Sequence, residues 1–166
     1  MFVEMKVSGL TIDPLTNTPI VILKDLEGKR AVPIWIGLFE ASAIATELEK
    51  ISFSRPMTHD LLKEMVKILE GKVTKIEIID LKNNTFFALI HLMKDGNVVT
   101  VDSRPSDAIA LALRVNAPTY IAEKVIEKSR SVDFAKKGEE LDKLKKEELK
   151  DFLENLSDED FGKYKM

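Results

Sequence analysis

Two short segments of this chain place an Arg-Pro pair directly before a polar cluster and an apolar run. They are Arg55 to Asp60 and Asp102 to Asp107, and each leads into a predicted helix. A helix N-terminus leaves backbone N–H groups unpaired and carries about half a positive charge, and an arginine adds five more donors. Each of these helix entrances could therefore bind an anion such as a phosphate. The adjacent carboxylates could hold a divalent metal ion or act as bases.

Phosphodiester hydrolysis is the reaction that these residue types could support. It needs an activated water, stabilisation of charge on the phosphoryl oxygens and a protonated leaving group. The candidate phosphate-binding residues are Arg55, Thr58, Arg104 and Ser106, and the candidate catalytic residues are Glu40, His59, Asp60, Asp102 and Asp107. Asp102 and Asp107 are also the candidate ligands of a metal ion, for which we predict Mg²⁺ or Mn²⁺. We expect the two entrances to share one groove, with Glu40 nearby, because buried ionisable groups must pair or face water.

The same residues also have structural interpretations. Proline, serine, threonine and aspartate are all favoured in first helical turns, so either segment alone could be an ordinary helix start. Glu40 could serve only the helix dipole, and Asp102 could end its strand by pairing with Arg104. The arginines of the two entrances could also pair across the fold with Asp107 and Asp60 as an internal polar network. His91 lies in an alternating strand without a nearby charged motif, and we interpret it as structural.

Composition limits the class of protein. The 166 residues fit one domain, with or without a terminal appendage, and no apolar run approaches the ~20 residues that span a bilayer. The first residues lack the basic and apolar regions of a signal peptide, so we expect a cytoplasmic protein without membrane contact. The absence of cysteine excludes disulfides, thiolate metal sites and a cysteine nucleophile. A charged fraction of 32% and the absence of glutamine are typical of thermostable proteins.

The net charge of −3 is unevenly distributed along the chain. The segment from Asp133 to Met166 holds 8 basic and 11 acidic residues, so the remainder is neutral. A protein that binds nucleic acid usually carries a basic surface. The neutral charge of the residues before Asp133 argues against tight nonspecific binding of nucleic acid but is compatible with a local basic patch.

The spacing of apolar residues predicts an α+β domain with a mostly antiparallel or mixed sheet built from two strand groups. The predicted strands are 2–12, 19–23, 30–36, 73–81, 85–93, 98–102 and 118–121, and the predicted helices are 38–50, 58–70 and the buried 105–115. Gly71 is predicted to cap the second helix. A leucine stripe beyond Arg130 predicts an amphipathic C-terminal helix, which divides the chain into a domain, 1–130, and a charged tail, 131–166. We expect self-association, with a dimer favoured, through edge strands and the small-residue helix around Ala41 and Ala45.

Four segments resemble the signature blocks of the bifunctional nuclease domain family. They occur in the family's order and are Pro33 to Ala41, Arg55 to Leu62, Thr85 to Ala88 and Asp102 to Ala110. The chain departs from the pattern at Ser103, where we expect alanine, and near Lys50, where we expect glycine. The resemblance implies a nuclease that acts on RNA, DNA or both with little sequence preference, and the residues above favour metal-assisted hydrolysis. The alternative is a noncatalytic module that binds a nucleotide, RNA or protein partner through the same grooves.

Overall fold

The chain folds as a mixed sheet with helices, and the computed structural model describes residues 1–129. Within this range the elements are, in order, β1 (Phe2–Ile12), β2 (Pro19–Asp25), β3 (Ala31–Trp35), α1 (Leu38–Leu48), α2 (Thr58–Ile68), β4 (Lys72–Lys82), β5 (Thr85–Lys94), β6 (Asn97–Ser103), α3 (Pro105–Val115), β7 (Thr119–Ala122) and α4 (Glu123–Ser129). The predicted α+β class is confirmed. The predicted C-terminal helix lies outside the described residues, as does the tail.

All seven strands belong to one sheet, in the order β3-β2-β1-β7-β4-β5-β6. The strands β1 to β3 form one antiparallel group and β4 to β6 form another, as expected from their short connections. The short strand β7 joins the groups, because it pairs antiparallel with β1 and parallel with β4. This arrangement makes the sheet mixed and leaves β3 and β6 as its two edges.

Residues with positive φ close the tight turns and helix ends. Asn83 and Asn84 turn β4 into β5, and both have positive φ, as the type I′ hairpin turn requires. Gly71 takes part in the cap that ends α2, as predicted, while the left-handed conformation falls on Glu70, which has a φ of 59°. Gly71 donates its N–H to the carbonyl of Val66, which is the outer hydrogen bond of a Schellman ending and places the left-handed residue one position earlier.

The helices α1 and α2 both pack against α3, which also contacts β4 and β5. Eight of the eleven residues of α3 are buried, which confirms the predicted buried helix. Ala41 and Ala45 are 2% and 3% exposed within the single chain, so the prediction that they form a self-association surface is wrong. Their small side chains let α1 approach α3 closely instead. Across residues 1–129, no helix combines the length and the apolar character needed to cross a membrane.

Candidate functional site

A pocket of about 330 Å³ lies where α1, α2 and α3 come together. This volume is at the lower end of the range for small-molecule sites. Its lining combines charged, hydroxyl and aromatic side chains: Phe39, Glu40, Ser42, Ala43, Thr46, Phe53, Met57, Thr58, His59, Arg104, Asp107 and Arg114. Both predicted helix entrances contribute to this lining, since Thr58 and His59 lie in the first turn of α2 and Asp107 lies in the first turn of α3.

The two entrances meet at the carboxylate of Asp107. His59 Nε2 lies 2.9 Å from Asp107 Oδ1, and Arg104 Nε donates to Asp107 Oδ2 at 2.8 Å. Burial opposes ionisation of Asp107, but the hydrogen bonds from Arg104 and His59 outweigh it and hold the pKa of this carboxyl below its ordinary value. An ionised Asp107 favours the histidine tautomer that carries its proton on Nε2. His59 Nδ1, which forms no hydrogen bond to the described residues, is then a free acceptor.

Arg104 connects this carboxylate to α1. Its Nη1 lies 2.8 Å from Glu40 Oε1, while its Nε is held by Asp107. The hydrogen bond to Asp107, the charge of Asp107 and the hydrogen bond to Glu40 raise the pKa of Arg104. Its side chain is nevertheless 66% exposed, so the N–H groups not used in these two contacts can reach a ligand. We call Glu40, His59, Arg104 and Asp107 the charged cluster.

The position of Glu40 depends on the glycine that precedes α1. A Cβ atom placed on Gly37 would collide with the carboxylate of Glu40, which lies directly against this position. The φ of Gly37 is −73°, a value that any residue adopts, so space and not backbone strain favours glycine here. Gly37 thereby allows Glu40 to fold back toward the start of its own helix while it contacts Arg104.

A second arginine, Arg114, joins all three helices beside the pocket. Its Nε donates to Asp60 Oδ1 at 2.7 Å, and its Nη1 donates to the carbonyls of Ala43 and Ala110 at 2.9 Å each. The Arg114 side chain is 4% exposed, and these three acceptors compensate its buried charge. Asp60 also accepts the N–H of Met57, which caps α2. Burial opposes ionisation of Asp60, but Arg114 and the Met57 N–H hold its pKa below the ordinary value.

Arg114 was not among the site residues predicted from the sequence. Its signal in the sequence is a single arginine within the apolar run of α3, where a charge has no packing role. Such a residue must find acceptors inside the protein, and the carboxylates of the neighbouring helix entrance were the candidates.

The structure brings together part of the predicted site. Asp107 contacts both His59 and Arg104, and Arg104 also contacts Glu40. Thr58 lines the same pocket. The side chain of Asp60 pairs with Arg114. Four predicted residues do not line the pocket: Asp60, which bonds to Arg114, Arg55 and Asp102, which are exposed, and Ser106, which is buried. The alternative pairing of Asp102 with Arg104 is not formed, because Arg104 bonds to Glu40 and Asp107.

No group of three or more His, Cys, Asp or Glu side chains in residues 1–129 is arranged to hold a metal ion. Each oxygen of Asp107 already has a hydrogen-bonded partner, and Asp102 lies outside the pocket lining. These residues therefore do not form a preassembled all-protein metal centre. Mg²⁺ is commonly bound by one or two carboxylates together with substrate phosphates, so the predicted role of Asp102 and Asp107 as ligands stays a prediction.

A separate polar cluster lies on β4 and β5. His91 Nε2 lies 2.8 Å from Glu77 Oε2, and Lys75 also bonds to this carboxylate. Burial opposes ionisation of Glu77, which is 8% exposed, but the hydrogen bonds from Lys75 and His91 hold its pKa below the ordinary value. His91 is thus satisfied by a partner on the neighbouring strand and does not line the pocket.

Comparison with known proteins gives matches over most of the chain. A family model described as the bifunctional nuclease domain matches residues 21–133. An uncharacterized protein of Mycobacterium tuberculosis is 36% identical over 162 residues, which are 95% of this chain and 97% of that protein.

Plant proteins match over a shorter region. Bifunctional nuclease 1 of Arabidopsis thaliana is 28% identical over 107 residues, covering 62% of this chain and 33% of the plant protein. Bifunctional nuclease 1 of Oryza sativa subsp. japonica is 25% identical over 109 residues, covering 63% of this chain and 33% of the rice protein. The matched region thus spans about a third of each of these plant proteins.

Proposed function

We propose that this chain, which belongs to the bifunctional nuclease domain family, hydrolyses phosphodiester bonds of single-stranded RNA or DNA in the pocket between α1, α2 and α3. The observation that carries the proposal is the contact of 2.9 Å between His59 and Asp107. A histidine oriented by a carboxylate is a common general base, and this one lines a pocket beside an exposed arginine. The names of the plant relatives support the reaction class.

The proposed reaction uses water as the nucleophile, because water can attack the phosphorus of both RNA and DNA. His59 Nδ1 accepts a proton from the water as its oxygen bonds to phosphorus. Asp107 holds the opposite ring nitrogen and stabilises the imidazolium that results. The bond from phosphorus to the leaving sugar oxygen breaks, and this oxygen takes a proton from solvent.

Arg104 is proposed to bind the phosphate. Its side chain lies between Glu40 and Asp107, and its exposed N–H groups can donate to two phosphoryl oxygens at once. The two carboxylates fix the guanidinium before substrate arrives, so little side-chain entropy is lost on binding. Charge that develops on the phosphoryl oxygens in the transition state is then stabilised by a preorganised cation.

The aromatic lining supports a nucleic acid as the substrate. Phe39 lines the pocket and is 77% exposed, which is unusual for a large apolar side chain beside charged groups. An exposed aromatic ring can stack on an unpaired base, an interaction worth about 1–3 kcal/mol and tolerant of sequence. A pocket of about 330 Å³ has room for one nucleotide, not for a duplex.

The charged cluster also supports the noncatalytic alternative. Its four side chains are linked by three direct contacts, as the members of an internal polar network would be. In that case the pocket binds a nucleotide without cleaving it.

Cleavage of end-labelled single-stranded RNA and DNA by the purified full chain tests the proposal. His59→Gln and Asp107→Asn should each lower the cleavage rate by at least about 100-fold. His91→Gln is the matched control, because this histidine also contacts a carboxylate but lies outside the pocket. Equal activity in the wild type and in His59→Gln would assign the cleavage to a contaminant or to another site. Binding without cleavage would support the alternative.

Metal dependence is measured in the same assay. Each protein is assayed with Mg²⁺, with Mn²⁺ and with a chelator. Cleavage that persists in chelator would count against the predicted metal-assisted reaction and leave the role of His59 intact. Cleavage that requires the ion and is lost in Asp102→Asn would support Asp102 as a ligand, although it lies outside the pocket lining.

A further inference from the structure

The two edges of the sheet differ in how they are protected. The edge strand β3 has three buried residues among its five and contains Pro33, which cannot donate a ladder hydrogen bond. The opposite edge strand β6 contains no proline, and six of its seven residues are exposed. Its exposed side chains include Val98, Val99 and Val101. An exposed edge of this kind is a template for pairing with another strand.

The hairpin register identifies which backbone groups of β6 have no partner within residues 1–129. Asp95 and Gly96 form a two-residue turn, so the flanking residues Lys94 and Asn97 form a hydrogen-bonded pair. Because such pairs alternate along an antiparallel ladder, the N–H and C=O groups of Val98, Thr100 and Asp102 point away from β5. These three residues therefore present the free hydrogen-bonding edge.

We propose that β6 pairs with β6 of a second copy of this chain, antiparallel and centred on Thr100. A two-fold axis at this position places Thr100 opposite its own copy and Val98 opposite Asp102. The outward N–H and C=O groups of all three residues then find partners. The two seven-stranded sheets become one continuous sheet across the dimer.

The two ends of helix α2 are joined by side-chain hydrogen bonds to residues close to the two ends of β6. At one end, Lys94 Nζ donates to the carbonyl of Leu69, next to the turn where β6 begins. At the other end, His59 contacts Asp107, four residues after the end of β6. The side chains of Val99 and Val101 lie opposite Leu92 and Ile90, on the face of the sheet where α3 packs. Helix α2 packs on α3 as well and is therefore on this same face.

The exposed apolar area along this edge is of the size that a dimer needs. Helix α2 has no buried residue. Seven apolar residues of α2, its C-cap and β6 are between 40% and 71% exposed: Leu61, Leu62, Met65, Ile68, Leu69, Val99 and Val101. A stable interface buries about 800 Å² on each partner, and these side chains offer an apolar area of that order. A symmetric dimer formed through this edge would bury these seven side chains on both copies.

A second copy fits this edge better than a helix or a loop. Only a strand can satisfy a row of N–H and C=O groups at the spacing of a sheet. The sequence of β6 carries a single charge, Asp102, and no lysine to repel an identical strand. In the proposed register the two copies of Asp102 lie opposite valines and not opposite each other.

The molar mass of the full chain in solution tests the proposal. We expect light scattering at micromolar concentration to give twice the chain mass for the wild type. Thr100→Pro, which removes an outward N–H, and Val99→Lys, which adds a charge to the apolar face, should each raise the dimer dissociation constant at least about tenfold. Leu15→Lys is the matched control and should stay dimeric, since this residue is 93% exposed on the turn between β1 and β2. A monomeric wild type would overturn the proposal, including the case in which residues beyond 129 cover this edge.

Crosslinking tests the register without weakening the interface. The chain has no cysteine, so a single introduced thiol reports one position. Thr100→Cys should crosslink to its own copy with a short bis-maleimide, because the Cα atoms of a hydrogen-bonded antiparallel pair lie about 5.5 Å apart. Val98→Cys is the control on the same strand, since its two copies would be about 14 Å apart along the strands. Equal crosslinking of both variants, or of neither in a dimeric protein, would show that the copies do not pair in this way.

Discussion

His59 Nε2 lies 2.9 Å from Asp107 Oδ1, although 48 positions separate the two residues in the chain. The contact joins the first turn of α2 to the first turn of α3 and brings both Arg-Pro helix entrances to one pocket. Because Asp107 also accepts from Arg104, a single carboxylate orients the proposed base and the proposed phosphate-binding residue. Loss of the Asp107 charge should therefore affect both proton abstraction by His59 and phosphate binding by Arg104.

Asp107→Asn is expected to abolish detectable cleavage of labelled RNA and DNA. The substitution keeps the shape of the side chain but removes the charge that stabilises the imidazolium of His59. The rate should fall at least about 100-fold, as measured under single-turnover conditions. Circular dichroism on the same sample checks that the fold is retained. Cleavage within a fewfold of the wild-type rate would remove Asp107 from the mechanism.

Arg114→Met is expected to lower the free energy of unfolding by about 3 kcal/mol, because it leaves a carboxylate and two carbonyls without their donor. Urea denaturation measures this change. Arg55→Met is the matched control, since Arg55 is exposed and forms no ion pair within residues 1–129. The control should change stability by less than about 0.5 kcal/mol. Equal effects of the two substitutions would contradict a structural role for the buried arginine.

Local sequence patterns predicted most of the helices and strands. The first residues of α2 and α3 coincide with the prediction, because hydroxyl, acidic and proline residues favour first helical turns and mark them in the sequence. Helix α4 was not predicted, since Glu123 follows the last residue of β7 without a turn residue between them. The parallel pairing of β7 with β4 is a nonlocal contact, and short-range patterns carry no information about it.

The candidate site was predicted in part, and the differences have physical reasons. The sequence shows charges near helix entrances but not which partner each charge selects in space. Asp60 pairs with the buried Arg114 because an isolated buried cation is very costly, whereas the exposed Arg55 can be solvated by water. Asp102 stays exposed on the edge strand β6, where side-chain direction depends on the register with β5.

Acid is expected to destabilise the fold partly through Glu77. Its pKa is lowered in the folded protein, so its contribution to stability is fully present above the unfolded value of about 4.3 and is lost as the pH falls through the folded pKa. The free energy of unfolding should therefore decrease below about pH 4. Glu77→Gln should reduce this acid dependence, and Glu127→Gln should not, because Glu127 is exposed and forms no hydrogen bond with the described part of the chain. Urea titrations between pH 2 and about pH 7 make the comparison. Parallel curves for wild type and Glu77→Gln would refute the prediction.

Gly37→Ala is expected to disturb the charged cluster while leaving the fold intact. The added methyl group would occupy the space of the Glu40 carboxylate, which would move away and loosen its contact with Arg104. Since the far end of a flexible side chain can move cheaply, stability should change by less than about 1 kcal/mol. The substitution should affect the positioning of the phosphate by Arg104 more than it affects stability. The cleavage rate should therefore fall about tenfold, and KM should rise. Gly9→Ala is the matched control, because no atom lies within 4 Å of a Cβ at that position. Glu40→Ala provides a second comparison: if Gly37 acts through Glu40, adding Gly37→Ala to this variant should cause no further loss. An additive loss in the double variant would show that the glycine acts by another route.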